Sequence, residues 1–66
     1  MRIRPITITS LEVLLLEQYL SKLSFKRSSH WTIYYSPSTE LYSIKAMTFE
    51  CNGLVVNKLN ELRTKN

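Results

Sequence analysis

The sequence predicts a small single α+β domain over residues 1–66, in the order β-α-β-β-α, with an antiparallel sheet carrying its helices on one face. Three observations lead there. Apolar residues recur at helical spacing twice, around Leu11 to Leu23 and again at Val55, Leu59 and Leu62. Between these segments, two runs rich in aromatic and β-branched residues flank a turn-forming stretch. With 44% apolar and 21% charged residues, only one Gly and two Pro, the composition is that of an ordered chain rather than a linker.

The N-terminal stretch up to Ile8 alternates β-branched residues, Ile6-Thr7-Ile8-Thr9, and Pro5 confines it to an edge position or a strand start. Thr9-Ser10-Leu11-Glu12 then has the spacing of a capping box, with Ile8 placed to pack on Val13. A helix is expected to begin there. Its core-facing side is predicted to hold Leu11, Val13, Leu15, Leu16, Tyr19, Leu20 and Leu23. Glu17, Gln18, Ser21 and Lys22 fall opposite, and Leu14 falls among them, a candidate contact for another protein.

Ser24 to Ser29 reads as a basic connector. His30 to Ser36 and Leu41 to Phe49 form a predicted hairpin about Ser36-Pro37-Ser38-Thr39-Glu40. Pairing Tyr35 with Tyr42 sets Ile33 opposite Ile44 and Trp31 opposite Ala46 on a face suited to the core. Alternation sends His30, Thr32, Tyr34, Ser43, Lys45 and Met47 to the other face. Asn52 is placed to cap a final helix, with Arg63 and Lys65 complementing the dipole at its end.

The function classes narrow quickly. A chain of 66 residues is too small for a large buried catalytic cavity. Cys51 is the only cysteine, so no intrachain disulfide forms, and with one His it cannot assemble a zinc site. No metal and no cofactor is expected, because no Gly-rich phosphate loop or paired carboxylates stand out. No apolar run approaches the length of a membrane span or a signal core, so a cytoplasmic protein without membrane partners is expected.

Nine Lys and Arg against five Glu give a net charge of +4. Lys26, Arg27, His30, Tyr34 and Lys45 together combine cations, an imidazole and an aromatic ring. Cations neutralise phosphates and rings stack on unpaired bases, so these residues point to RNA or single-stranded DNA. A non-enzymatic protein-interaction domain, such as an inhibitor or adaptor of phage or mobile-element origin, is the alternative. It would use Leu14 and an edge strand bearing Ile3 and Ile6, the same edge also being open to homodimer formation.

Ser29-His30 followed by Thr32-Ile33-Tyr34, the turn at Pro37, the strand at Tyr42 to Ile44 and a terminal helix opening at Gly53 resemble the HicA mRNA-interferase toxins, with Ser28 in place of that family's glycine. The resemblance covers roughly the last 40 residues. It implies a double-stranded-RNA-binding-like fold, a metal-independent ribonuclease activity with His30 as the catalytic residue, and RNA contacts by Lys26, Arg27 and Lys45.

Overall fold

The computed structural model describes residues 2–64. Its elements are β1 (Ile6–Ile8), α1 (Ser10–Lys22), β2 (Trp31–Ser36), β3 (Leu41–Ala46) and α2 (Phe49–Thr64), the predicted α+β order. The sheet is antiparallel with strand order β1-β3-β2. Both outer strands oppose β3, so β1 and β2 run in the same direction. Helix α1 therefore joins two like-directed strands with a third inserted between them, a split β-α-β arrangement.

The register is the one the aromatic pattern predicts: Tyr35 pairs with Tyr42, Ile33 with Ile44 and Trp31 with Ala46. On the other side of β3, Ile6 pairs with Ile44 and Ile8 with Tyr42. These residues share one face of the sheet, and both helices pack on it. Ile8, Trp31, Ile44 and Ala46 meet Leu16 and Leu20 of α1 and Cys51, Val55 and Leu59 of α2 in one buried cluster. Each large aliphatic side chain enclosed there contributes roughly 1.5–3 kcal/mol.

Helix α1 starts as expected. The Glu12 N–H donates to Thr9 Oγ1 at 3.2 Å and the Thr9 N–H donates to Glu12 Oε1 at 2.9 Å. Its buried arc is narrower than the sequence suggests. Leu16 and Leu20 lie about 40° apart around the helix, whereas Leu11 lies about 140° from Leu16. Leu11 is accordingly 63% exposed, Leu15 is half-buried, and Leu23 at the C-cap is exposed. Leu14 is 58% exposed, as its position predicts.

The last strand ends earlier, and the last helix starts earlier, than expected. Thr48 caps α2 instead of Asn52: its Oγ1 accepts from the Cys51 N–H at 3.2 Å and its carbonyl from the Asn52 N–H at 2.9 Å. A Thr whose hydroxyl satisfies an N-terminal amide stops the ladder at that point. Asn52 and Gly53 lie inside the helix. Lys65, expected near the helix end, lies outside the described residues.

Candidate nucleic-acid interface

Because both helices cover one side of the sheet, the opposite side is bare among the described residues. Strand alternation sends Thr7, Thr32, Tyr34, Ser43 and Lys45 there. Thr7 and Tyr34 flank Ser43 in one cross-strand row, and Lys45 pairs with Thr32 in the next. Tyr34 and Lys45 are thus diagonal neighbours within reach of long side chains. Tyr34 is 52% exposed. The result is a surface of one aromatic ring, one ammonium and several hydroxyls, all on rigid strand backbone.

The connector between α1 and β2 is built by backbone bonds rather than by glycine. The Phe25 N–H donates to Leu20 O at 2.9 Å and the Ser24 N–H to Ser21 O at 3.0 Å, the two bonds of a Schellman motif. Ser24 occupies the left-handed position, φ 66°. Phe25 then packs against the core, while Lys26 and Arg27 remain exposed. The Arg27 guanidinium lies 5.9 Å from the centre of the Trp31 ring, within cation–π range. The Trp31 Nε1–H points to Phe25 O at 3.4 Å.

His30 closes this connector. Its N–H donates to Lys26 O at 2.8 Å, and its Nδ1 accepts the Lys26 N–H at 2.8 Å. Its ring meets Phe25 edge-on, centroids 5.3 Å apart. A backbone N–H on Nδ1 fixes the proton of the neutral ring on Nε2. The free nitrogen can therefore donate a hydrogen bond, but in this tautomer it has no lone pair with which to act as a base. Among the described residues no carboxylate bonds to the ring.

The five residues expected to act together thus fall into two groups. Tyr34 and Lys45 share the bare face of the sheet. Lys26 and Arg27 instead line a groove of about 650 Å3 against Glu17 and Gln18 of α1, with Trp31 also in its wall. His30, half-buried, joins the groups through backbone, its carbonyl accepting the Met47 N–H at 2.7 Å beyond the end of β3. Cations are not equally free: Arg63 is paired with Glu12 and Lys58 with Glu61, whereas Lys26, Arg27 and Lys45 take no part in either pair.

Of the residues expected at a protein interface, Leu14 is open to solvent, Ile6 opens β1 and Ile3, expected on the same strand, precedes it; both isoleucines are half-buried against the core. Leu11, one turn from Leu14, extends that apolar patch, although helical spacing alone places it on the core face. Cys51 is fully buried, and burial pushes its thiol above the ordinary value, with Glu50 adding to the shift. Such a thiol is a packing group, not a nucleophile. Among the described residues no three His, Cys, Asp or Glu side chains cluster as metal ligands, and no helix is long and apolar enough to cross a membrane.

Comparison of the chain with protein-family models, with curated proteins and with solved structures finds no match.

Proposed function

We propose that this protein is a small nucleic-acid-binding module whose ligand is single-stranded RNA. The observation that carries the reading is the exposed Tyr34 ring beside Lys45 on a sheet face that no helix covers. An unpaired base stacks on the ring, the ammonium meets a neighbouring phosphate, and the Thr32 and Ser43 hydroxyls offer hydrogen bonds to sugar or base edges. Lys26 and Arg27 add a second basic patch, in the groove beside α1 and apart from the sheet face. The net charge of +4 favours a polyanionic partner. An intracellular setting goes with this reading, supported by a single cysteine, free and buried, in a domain of a size that disulfides stabilise outside the cell.

The test is titration of a labelled single-stranded RNA at low and high salt. Binding should weaken as salt rises, and Lys45→Ala should reduce the slope of log K against log salt by about 1. Tyr34→Ala should cost about tenfold or more in affinity, the loss of one stacked base. The reading fails if the folded protein at low salt binds neither RNA nor DNA at concentrations on the order of 100 µM. RNA cleavage that disappears in His30→Ala while binding persists would replace it with the ribonuclease reading.

A second reading rests on a separate observation. Leu11 and Leu14 form an exposed apolar pair on α1, one turn apart and far from the bare sheet face. A protein partner docked there would make the molecule an inhibitor or adaptor. Leu14→Ser would then abolish partner binding and leave RNA affinity unchanged.

A further inference from the structure

The two outer strands expose their backbones differently. On β1 the Thr7 carbonyl, turned away from β3, accepts from Arg63 Nη2 at 2.9 Å. On β2 the His30 carbonyl accepts from Met47, so even-numbered residues of this strand bond with β3. Trp31, Ile33 and Tyr35 therefore direct their N–H and C=O groups outward. The Trp31 carbonyl is taken by the Ser28 N–H at 2.6 Å. Beyond it no loop or side chain among the described residues bonds to Ile33 or Tyr35. The strand carries no charge and no proline, the devices that usually protect an open edge.

We infer that β2 pairs with β2 of a second copy of this chain, antiparallel about a two-fold axis at Tyr34, to form a continuous six-stranded sheet. A two-fold pairing must set outward residues against outward residues. An axis at Ile33 would set Trp31 against the partner's Tyr35, and the connector already fills the outer side of Trp31. An axis at Tyr34 sets Ile33 against the partner's Tyr35 and Tyr35 against the partner's Ile33, each pair exchanging two hydrogen bonds. The next outward pair is Trp31 with the partner's Pro37. Proline has no N–H to offer, and the carbonyl it would meet is already occupied.

Charge agrees with this register. The same axis brings the hairpin turn of one copy, which bears Glu40, to the connector of the other, which bears Lys26 and Arg27. Glu40 belongs to neither ion pair found among the described residues. The pairing does not depend on the RNA reading. It would join the two bare faces into one, with Tyr34 beside the partner's Tyr34 and a Lys45 on either side.

The experiment combines sedimentation equilibrium of the full chain with amide hydrogen exchange across a concentration series. A dimer is expected, with the Ile33 and Tyr35 amides becoming protected as it forms. Tyr35→Pro removes an outward N–H that β2 does not use within its own sheet, and should weaken the dimer about tenfold or more. Should that variant not fold, Tyr34→Lys sets two like charges opposite each other at the axis and should have the same effect on an exposed position. A chain that stays monomeric up to about 1 mM, the weak end of the affinity scale, overturns the inference. So does a dimer whose Ile33 and Tyr35 amides exchange freely, which would move the contact to Leu11 and Leu14. Protection of those amides only on adding a different polypeptide also overturns it.

Discussion

The two edges of this three-stranded sheet solve one problem in opposite ways. Strand β1 has only three residues, follows Pro5, and has an outward carbonyl held by a side chain 56 positions away in the sequence. Arg63 reaches that carbonyl while its Nε and Nη2 bind the two carboxylate oxygens of Glu12 at 2.8 and 3.0 Å. Glu12 in turn closes the capping box of α1. One carboxylate thus ties the start of α1, the end of α2 and the β1 edge together. Strand β2 is twice as long, and among the described residues only its first residue is covered. A short edge is closed by charge-assisted bonds, and a longer one is left available. The difference locates the surface on which the molecule can add a strand.

The largest expected effect comes from cutting the β1 clasp. Glu12→Ala removes the capping-box acceptor for the Thr9 amide and leaves Arg63 without its partner. The sum of a lost cap and a well-formed but partly exposed ion pair is a destabilisation of about 1–3 kcal/mol. An unchanged denaturant midpoint would show that the clasp is ornamental. If β1 is protected chiefly by Arg63, the Ile6 and Ile8 amides, which face β3, should also lose hydrogen-exchange protection before β2 does.

Acid should loosen the same clasp to a smaller extent. The hydrogen bond from Arg63, opposed by partial burial and helped by the Thr9 amide, lowers the Glu12 carboxyl below its ordinary value. The folded state therefore binds this proton less readily than the unfolded chain does. Its stabilisation is complete above the unfolded value near 4.3 and is lost as pH falls through the lower folded value. With Arg63 half exposed, the amount is no more than about 1 kcal/mol. Stability measured from pH 6 downward should fall across this window and fall less steeply in Glu12→Gln, while an identical slope in both proteins would assign the acid sensitivity to other glutamates.

Much of the frame is readable from short-range pattern. Thr9 and Glu12 announce a capping box because both partners lie within one turn, and the hairpin register follows from matching Trp31, Ile33 and Tyr35 with small or apolar residues across the turn. What escapes is either long-range or written in unusual residues. The Glu12 to Arg63 clasp spans 51 positions, and Arg63 looks from sequence like an ordinary helix-end cation. Thr48 suits a strand as well as a cap, so the boundary of α2 shifts by several residues. The left-handed turns are hidden because Ser24, Ser28 and Glu40 occupy them, whereas the only glycine, Gly53, lies in a helix. Lys26 and Arg27 are recognisable as cations, but their direction depends on the Schellman turn and on Trp31, so their separation from Lys45 is a tertiary fact.

The smallest effect tests the one place where β2 is covered. Ser28 holds the connector against this edge through its N–H, and it does so at φ 73°, a backbone region that disfavours any residue with a Cβ. The left-handed conformation costs an L-residue roughly 1–2 kcal/mol, while glycine there gives back about 0.5–1 kcal/mol through the greater freedom of its unfolded chain. Ser28→Gly keeps the amide that bonds to Trp31 and removes the strain, so a gain of about 0.5 kcal/mol is expected. Ser28→Val, with a branched Cβ in the same region, should lose stability instead. Denaturation midpoints of the two variants on either side of the parent would establish that the connector is held in this geometry in solution. Two midpoints shifted the same way would mean that the start of β2 is as open as the rest of its edge. A partner strand could then slide by two residues to take up Trp31 as well, and the axis at Tyr34 would lose its preference.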